Sequence, residues 1–323
     1  MSGHILDDKV VLLTGGTGSF GRAFVEAVLA SSTATIRIFS RDEFKQSELR
    51  EQYDSERLRY MVGDVRDRDR LLRAAKGADV IVHAAAMKQV PACEYNPFEA
   101  VQTNVIGAEH VVAAAIDAKV PTVVALSTDK AVNPVNLYGA TKLCAEKIVV
   151  QGNAYAADGP TRLCCVRYGN VVRSRGSVVP LFRRPAEAGE VTITDERMTR
   201  FWLTLPESVD LVLYAVEHGR GGEVFVPRIP SMRVVDLAEA IAPGVRRRVV
   251  GIRPGEKLHE VLVTADESRH TVERDGMLVV LPEYHWWSDD GWDDGKPLDD
   301  GWVFSSATND HFLSVDELRA MLP

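Results

Sequence analysis

The stretch VVLLTGGTGSFG, from Val10 to Gly21, decides the fold of this chain. A short apolar run of strand character, Val10–Thr14, leads directly into Gly15, Gly18 and Gly21, after which the pattern becomes helical. Glycines at this spacing permit a tight turn, and they let backbone N–H groups approach a phosphate at the positive end of the helix. Because a strand precedes the glycines and a helix follows them, the pattern indicates a dinucleotide site.

Strand-like and helical segments alternate through the first half of the chain. Short runs rich in β-branched residues recur, and stretches with helical spacing such as Gly21–Ser31 and Pro97–Ala118 lie between them. This alternation predicts an α/β fold, a Rossmann-type doubly wound parallel sheet. The strand candidates are Val10–Thr14, Ile36–Ser40, Arg59–Val62, Val80–His83 and Thr122–Ser127.

The regular alternation of strand-like and helical segments does not continue into the second half of the chain. Ser208–Glu217 has helical spacing and Glu223–Pro227 has strand character, but glycine, proline and basic residues interrupt the regular alternation. We therefore predict a dinucleotide-binding Rossmann domain over 1–172, to which the chain partly returns around 199–227. A smaller C-terminal domain over 173–323 is expected to bind mainly the substrate.

Composition excludes several classes of protein. The chain has 323 residues, of which 46% are hydrophobic and 26% are charged, as in an ordinary globular enzyme. A net charge of −8 argues against nucleic acid or an anionic membrane as the main partner. The first residues do not follow the plan of a signal peptide, and the apolar runs are too short to span a membrane. With four cysteines that do not form a disulfide pattern, the simplest location is the cytoplasm.

Between Pro282 and Trp302 the chain is rich in tryptophan and aspartate. Paired aspartates without a fixed ligand spacing are a weak indication of a metal site. We interpret the segment as an acidic, solvated loop anchored by aromatic side chains, and we expect no metal.

The end of the second strand candidate bears on the choice of cofactor. A lone acidic residue at this point would receive the ribose hydroxyls of NAD, but the sequence reads Ser40-Arg41-Asp42. Arg41, with Ser40 and Lys45, suits the 2′-phosphate of NADP, because a guanidinium binds phosphate through paired, charge-assisted hydrogen bonds. NAD remains possible if Arg41 is instead a solvated charge beside Asp42.

Further cofactor contacts are expected after the other strands. Asp64 and Val65 are expected to flank the adenine, and Ala84, Ala85 and Ala86 keep side chains small where the backbone passes the cofactor. The residues assigned to the cofactor are Gly15, Thr17, Gly18, Ser19, Phe20, Gly21, Ser40, Arg41, Lys45, Asp64, Val65, Ala84, Ala85, Ala86, Thr103, Ser127, Tyr138, Lys142 and Tyr168.

Candidate catalytic residues follow the fifth strand. Ser127-Thr128-Asp129-Lys130 ends that strand, and Tyr138 and Lys142 open the next helix with a spacing that places both on one face. In a sheet of this kind the residues at the carboxyl ends of the strands project into one cleft, so we expect residues 127–130 to face the side chains of Tyr138 and Lys142 there. An adjacent ammonium group and a positively charged nicotinamide would stabilise the tyrosine phenolate, which would make Tyr138 a usable base.

The chain resembles the extended short-chain dehydrogenase/reductase family, and within it the soluble nucleotide-sugar 4,6-dehydratases that invert C5. The resemblance extends from about Leu6 to the last helix. It departs from the family pattern at Arg173, where glycine is usual. The matching segments are TGGTGSFG from Thr14, SRDEFKQSE from Ser40, GDVRD from Gly63, HAAAMKQVPACEYNP from His83, STDKAVNPVNLYGATKLCAEK from Ser127, VRYGNVV from Val166, ITDERMTRFW from Ile193, FVPRIPSM from Phe225 and GIRPGEKLHE from Gly251.

The resemblance implies a lyase that acts on UDP-N-acetylglucosamine with tightly retained NADP, as in pseudaminic acid biosynthesis. Tyr138 would take the C4 hydroxyl proton, with Thr128 bound to the C4 oxygen. Lys130 would remove the C5 proton and Asp129 would protonate the departing C6 hydroxyl. A homo-oligomer is also implied. The residues assigned to the substrate are Lys88, Asn170, Arg197, Arg200, Arg253 and Glu256, of which Arg253 is the favoured diphosphate ligand.

Two other functions are compatible with parts of this pattern. A nucleotide-sugar 4-epimerase or reductase of the same family would use Tyr138 and Lys142 but would leave Asp129 and Lys130 without a role. A non-catalytic NADP sensor or scaffold would need neither the tyrosine nor the lysine. We rank the dehydratase first, the epimerase or reductase second and the sensor third.

Overall fold

The structure, a computed structural model, describes residues 4–157, 159–172, 189–283 and 292–322. Its helices are α1 (Ser19–Ser31), α2 (Glu43–Tyr53), α3 (Arg68–Ala75), α4 (Val90–Tyr95), α5 (Pro97–Val101), α6 (Gly107–Asp117), α7 (Leu137–Ala156), α8 (Leu205–His218), α9 (Val234–Ile241), α10 (Ala265–Ser268) and α11 (Val315–Met321). A π-helical turn, Gln102–Ile106, joins α5 to α6, and a 3₁₀ turn occupies Asp129–Ala131.

The described strands form one large sheet and three small ones. They are β1 (Val10–Thr14), β2 (Thr35–Ser40), β3 (Leu58–Val62), β4 (Val80–His83), β5 (Thr122–Thr128), β6 (Arg162–Tyr168), β7 (Asn170–Val171), β8 (Glu190–Ile193), β9 (Thr199–Leu203), β10 (Val224–Pro227), β11 (Ser231–Arg233), β12 (Arg246–Val249), β13 (Val261–Val263), β14 (Thr271–Arg274), β15 (Met277–Val280), β16 (Lys296–Pro297) and β17 (Phe304–Ser305).

The large sheet has the order β16-β14-β15-β10-β6-β5-β4-β1-β2-β3. From β3 to β10 all pairs are parallel, and the register sets Leu13 beside Ile38 on one side and beside Val82 on the other. The three strands beyond β10 are antiparallel. Strand order reverses between β1 and β4, which is the position where such sheets bind ligands. The predicted Rossmann-type α/β fold is confirmed.

The central strands are buried on both faces. Val123 and Val124 on β5 are fully buried, as are Leu12 on β1 and Ile81 on β4. Helices cover both faces of a parallel sheet of this kind, which is why these strands read as continuous apolar runs without polar alternation. Their carboxyl ends therefore lie on a rigid support.

The return of the chain to the large sheet differs from the prediction. Helix α8 packs on the sheet beside α1, and β10 joins the sheet, as expected for residues within 199–227. However, β9 pairs with β7 and β11 in a separate small sheet. In addition, β14 and β15, which the sequence analysis did not anticipate, extend the large sheet. The region 173–323 therefore contributes to both parts of the molecule.

A second hydrophobic core supports the smaller part of the chain. Trp202 and Met232 come from the sheet of β7, β9 and β11, Met198 directly precedes β9, and Leu237 and Leu318 come from α9 and α11; all five are buried. Segments of this core also line the cleft described below. The core therefore lies beside the carboxyl ends of the parallel strands.

Parts of two predicted segments lie outside the described residues. Arg173 is one of them, and so are Trp286 and Trp287 of the aspartate- and tryptophan-rich stretch. Within the described part of that stretch, Trp292 is buried and its indole N–H donates to a carboxylate oxygen of Glu223 at 3.1 Å. Trp292 therefore anchors the stretch, as predicted for its aromatic residues. Over the four described ranges, no helix combines the length and apolar character needed to cross a bilayer.

Candidate active site

A cleft of about 1050 Å³ opens at the carboxyl ends of the parallel strands. It lies at the point where strand order reverses, and residues of the small sheet and of the loop 253–257 close its other side. All nineteen residues assigned to the cofactor line this cleft, from Gly15 to Tyr168. The structure therefore brings the whole predicted cofactor set together in one cleft.

The glycine turn is shaped for close backbone approach. A Cβ on Gly21 would lie 2.3 Å from the carbonyl oxygen of Gly16, so no larger residue fits there. Helix α1 begins at Ser19, and its N-cap residue, Gly18, has no side chain to accept a hydrogen bond from the first N–H groups. These N–H groups lie at the positive end of the helix beside the cleft, a position that favours an anionic ligand.

The end of β2 offers a cation rather than a free carboxylate. Asp42 caps α2 by accepting from the Lys45 backbone N–H at 3.0 Å, and its other oxygen pairs with the Lys45 ammonium group. The side chain of Arg41 is 59% exposed and lies 3.8 Å from Asp64, which is paired more closely with Arg66 at 2.7 Å. Asp42 is thus occupied within the protein, while Arg41 extends along the cleft.

Thr103 occupies the π-helical turn and lines the cleft. Its hydroxyl is buried without a hydrogen-bond partner among the described residues. The neighbouring Asn104 is fully engaged, since it bonds to both backbone groups of Met87 and to the Thr141 hydroxyl. A π-helical turn often marks a functional site, and an unpaired buried hydroxyl fits a polar ligand in the cleft.

Helix α7 and the 3₁₀ turn approach each other closely. Asn136 caps α7 by accepting from the Gly139 N–H at 2.8 Å. A Cβ on Gly139 would lie 2.1 Å from the carbonyl oxygen of Lys130, so glycine after Tyr138 lets the helix contact the turn. As a result Thr128, Lys130, Tyr138 and Lys142 line one side of the same cleft.

The electrostatic setting of Tyr138 differs from the expectation. Burial, reinforced by Asp129, raises the pKa of Tyr138 to about 12, although Lys130 and a hydrogen bond with Thr128 act to lower it. Lys142 donates to the Leu126 carbonyl at 2.6 Å, and burial lowers its own pKa. In the protein alone, the cation that favours the phenolate is therefore Lys130 rather than Lys142.

Asp129 and Lys130 form an ion pair with a separation of 3.0 Å. Burial acts to lower the pKa of Lys130, but the charges of Asp129 and Glu260 outweigh it and raise the pKa well above its usual range. Lys130 lines the cleft, whereas Asp129 is completely buried behind the surface that faces it. Asp129 does not line the cleft itself; the Thr128 hydroxyl, which does line it, donates to Asp129 at 2.8 Å.

Five of the six residues assigned to the substrate line the cleft. The side-chain oxygen of Asn170 is buried without a partner among the described residues, so it is available to a ligand. Arg253 lies 3.7 Å from Glu256, in a loop that the Asn136 side chain holds by donating to the Gly255 carbonyl at 2.7 Å. The fifth residue in the cleft, Lys88, has its pKa lowered by burial and by the charge of Lys130.

Two of the assigned arginines pair with groups of the protein itself. Arg197 does not line the cleft; its side chain is 70% exposed and pairs with Asp195 at 2.7 Å. Arg200 does line the cleft, but its guanidinium donates to the carbonyls of Thr199 and Lys257 at 2.7 and 3.0 Å. The fold uses both groups for internal pairing, which a motif match in sequence does not reveal.

Several functional neighbours were missed in the sequence. Glu260 lies 3.6 Å from the Lys130 ammonium group, and Lys257 donates to the Val132 carbonyl at 2.5 Å, beside the 3₁₀ turn. Glu146, one turn after Lys142, accepts from Ser127 at 2.7 Å and pairs with Arg167. A signal for Glu260 was present, because this acidic residue ends the matching segment GIRPGEKLHE and directly precedes an apolar strand.

Comparisons with known proteins agree with this geometry. A model of the family described as polysaccharide biosynthesis protein matches residues 11–282. UDP-N-acetylglucosamine 4,6-dehydratase (inverting) from Campylobacter jejuni is 44% identical, with 98% of each chain covered. UDP-glucose 4-epimerase from Rickettsia akari is 46% identical over 80% of this chain and 79% of its own. The X-ray structure of Pen from Bacillus thuringiensis has a TM-score of 0.90 at 37% identity, covering 98% of this chain and 97% of its own.

These matches confirm the resemblance that the motifs indicated. The family model covers most of the chain, and the Campylobacter and Bacillus proteins are similar along nearly its full length. The protein therefore belongs to the polysaccharide biosynthesis protein family, among the extended short-chain dehydrogenases/reductases.

Proposed function

We propose that this protein is an inverting UDP-N-acetylglucosamine 4,6-dehydratase. Its product would be UDP-2-acetamido-2,6-dideoxy-β-L-arabino-hex-4-ulose, with water as the second product. The observation that carries the proposal is the Asp129–Lys130 ion pair beside Tyr138, with Lys130 facing the cleft. The name of the Campylobacter relative, which is similar over 98% of this chain, supports it.

The residues around the cleft divide the reaction between them. Gly15, Gly18 and Lys142, which line the cleft, would hold a nicotinamide dinucleotide, and that group would supply the hydride chemistry at C4 and C6 and a positive charge that favours the Tyr138 phenolate. Tyr138 takes the C4 hydroxyl proton, so that C4 becomes a ketone. The ketone acidifies the proton on C5, which Lys130 is placed to remove.

The elimination of water is balanced within the Asp129–Lys130 pair. The pair holds one labile proton, and transfer across the 3.0 Å contact to Asp129 leaves Lys130 as a neutral amine that takes the C5 proton. Asp129, now protonated, returns its proton to the C6 oxygen through the Thr128 hydroxyl, which contacts Asp129 at 2.8 Å. The C6 hydroxyl leaves as water, and the pair regains its starting charge. A solvent proton then adds to C5 on the opposite face and Tyr138 releases to solvent the proton that it took from the C4 hydroxyl, which closes the proton balance and gives the inverted sugar.

A 4-epimerase is the second candidate, because relatives of that name, such as the Rickettsia protein, are similar over 80% of this chain. Epimerisation at C4 needs a base for the C4 hydroxyl but no proton transfer at C5 or C6. The buried pair would then have no function, although burying an ion pair costs desolvation energy. The dehydratase accounts for these residues and the epimerase does not.

Proton NMR tests the proposed reaction directly. Purified protein is mixed with UDP-N-acetylglucosamine in heavy water, without added cofactor. A new C6 methyl signal, deuterium at C5 and an inverted C5 coupling pattern are expected. A C4 epimer alone, or no reaction even after NADP is supplied, would exclude the dehydratase.

We also propose NADP as the cofactor, with Arg41 as the ligand of the 2′-phosphate. Asp42 already accepts from the Lys45 backbone N–H and ammonium group, which leaves it fewer acceptor sites for ribose hydroxyls, whereas Arg41 in the same cleft is a cation suited to a phosphate. Arg41→Ala is expected to weaken NADP binding by about 10- to 100-fold, since one charge-assisted hydrogen bond is lost. NAD binding should change little. Calorimetric titration of both nucleotides into both proteins measures this; equal losses for NADP and NAD would contradict the assignment.

A homo-oligomer in the cytoplasm is the proposed assembly and location. Tyr95 on α4 and Phe98 on α5 are 87% and 83% exposed, and such neighbouring aromatic side chains are typical of a surface that another chain covers. Light scattering is expected to give a multiple of the 35.6 kDa chain mass. A single species at that mass would refute the oligomer.

A further inference from the structure

Glu260 is a buried carboxylate in the candidate active site, and the mechanism above gives it no role. Its side chain is 3% exposed, yet Glu260 lines the cleft. Oε1 lies 3.6 Å from the Lys130 Nζ and 3.8 Å from the Arg200 Nε, while Oε2 lies 3.4 Å from the Lys257 Nζ. Oε2 also has no hydrogen-bond partner among the described residues.

The backbone of Glu260 is held from both sides. Its N–H donates to the Ser306 hydroxyl at 2.9 Å, and its carbonyl accepts from the Ser306 N–H at 2.8 Å. Ser306 is completely buried and shares a hydrogen bond of 2.7 Å with Thr199. The segment after β17 therefore fixes the position of Glu260, although it is far away along the chain.

The three cations around Glu260 differ in what else they bind. Arg200 and Lys257 both donate to backbone carbonyls, which orient their side chains independently of Glu260. The ammonium group of Lys130 instead contacts two carboxylates, Asp129 at 3.0 Å and Glu260 at 3.6 Å. Of the three, Lys130 is the group with a proposed proton to transfer, and so it is the one through which Glu260 can influence the chemistry.

We propose that Glu260 is a positioning residue for the dehydration: it holds the Lys130 ammonium group at the cleft and keeps the labile proton on the Asp129–Lys130 pair at alkaline pH. This inference rests on the proposed function. Glu260 is not required to touch the sugar, because it acts through Lys130.

The sign of the expected pH effect follows from the charges that face Lys130. They are the anions Asp129 and Glu260, the cations Arg200 and Lys88, and the phenol of Tyr138, and Lys257 adds a third cation 3.4 Å from Glu260. Neighbouring anions raise the pKa of an ammonium group and neighbouring cations lower it. Removal of Glu260 leaves one anion against three cations, so the pair would lose its proton at a lower pH. The alkaline decline of the rate should move in the same direction.

The test compares the pH profiles of wild-type protein and Glu260→Gln. The rates of methyl formation and of deuterium incorporation at C5 are measured by NMR from neutral pH upward. In Glu260→Gln the alkaline decline of kcat is expected to begin about one pH unit lower or more. The KM for UDP-N-acetylglucosamine should stay within about threefold of wild type, because Glu260 does not bind the sugar.

Two further variants separate this role from a structural one. Glu260→Asp restores the charge at a greater distance, and its profile should lie between those of wild type and Glu260→Gln. Glu256→Gln removes another carboxylate from the same cleft, one that pairs with Arg253. Glu256→Gln should raise the KM for UDP-N-acetylglucosamine, and its kcat should begin to decline at the same alkaline pH as that of wild type.

The outcomes distinguish the inference from the proposed function. If wild-type protein forms no methyl group, the proposed function itself has failed. Suppose that wild-type protein is active. The role of Glu260 is then refuted if the alkaline decline of kcat occurs at the same pH in Glu260→Gln as in wild type, or if Glu256→Gln shifts that decline as much as Glu260→Gln does. Should circular dichroism show that Glu260→Gln is unfolded, Glu260→Asp decides, and an unmoved profile refutes the role.

Discussion

Tyr138→Phe is expected to lower kcat for methyl formation by about 10²- to 10⁴-fold, the usual contribution of a positioned general base. Phenylalanine keeps the ring and its packing against Cys93 and Ala100, but it removes the hydroxyl that would take the C4 proton. The KM for UDP-N-acetylglucosamine should change far less, because the missing proton transfer belongs to the transition state. Steady-state kinetics with NMR detection of the methyl signal measures both constants.

The pH dependence gives a second signature of Tyr138. Because its pKa is raised to about 12 in the protein alone, the phenolate fraction increases as the pH rises through the neutral range. The wild-type rate should therefore rise with pH before its alkaline decline, and the residual rate of Tyr138→Phe should lack this rise. Tyr60→Phe is the matched control: this half-buried tyrosine on β3 stacks with Arg50, and its variant should retain wild-type kinetics. A Tyr138→Phe rate above about a tenth of wild type would place the base elsewhere.

Arg167→Met is expected to destabilise the protein by about 3–5 kcal/mol, the cost of removing one partner from a buried ion pair. Arg167 has a side chain that is 2% exposed and contacts Glu146 at 2.5 Å and Glu267 at 2.8 Å. It also donates to the Leu262 carbonyl at 2.7 Å. Methionine fills much of the space but leaves two carboxylates and a carbonyl without their cation. Thermal unfolding followed by circular dichroism should show a decrease in Tm of about 5–15 °C.

The pH dependence of this loss identifies its cause. Burial acts to raise the pKa of Glu267, but Arg167 and hydrogen bonds at Thr264 outweigh it and lower the pKa. Wild-type protein therefore gains stability from this carboxylate above its unfolded pKa and loses that gain as the pH falls through the folded pKa. In Arg167→Met the unpaired Glu267 carboxylate becomes protonated more readily, so the stability difference between the two proteins should shrink as the pH falls.

Arg319→Met is the matched control for Arg167→Met. Arg319 pairs with Asp316 at 2.7 Å, but the two side chains are 48% and 89% exposed. Solvent screens such a pair, so its removal should cost less than about 1 kcal/mol. Equal losses in the two variants, or a loss in Arg167→Met that does not depend on pH, would show that the buried network contributes little.

The same network of ion pairs connects β5, β6 and α7, which carry predicted site residues, to α10 in the C-terminal half of the chain. Ser127 on β5 donates to Glu146 on α7, and Arg167 on β6 joins Glu146 to Glu267 on α10. Glu267 in turn completes the capping box of α10 with Thr264. The helix that carries Tyr138 and Lys142 is therefore fixed by residues about a hundred positions away.

The fold and the cofactor cleft were predictable because their signals are local. All five strand candidates, β1 to β5, were found within one residue of their observed bounds. An apolar run, a glycine turn and a helical pattern act on neighbouring residues, and the handedness of the parallel connection then leaves few topologies. This is why all the residues assigned to the cofactor lie in one cleft.

The details of charge were not predictable, since they depend on contacts between distant segments. Arg197 matched a family segment but pairs with Asp195 at the surface, and Asp129 is buried behind Thr128 and Lys130. Glu260 was overlooked although it lies in a matching segment, because the sequence does not show that it contacts Lys130. Pairing of this kind depends on side-chain direction and burial, which periodicity does not encode.

By itself, the sequence determined the α/β class, the position of the glycine turn and the placement of Tyr138 and Lys142 on one helical face, because each depends on residues within a few positions of one another. The tertiary structure decided which charges meet. It brought Glu260 to Lys130, joined Arg167 to Glu146 and Glu267, and turned Arg197 away from the cleft. The physical reason is that these ion pairs form only after the core has excluded water and brought distant segments together, and their strength depends on that burial.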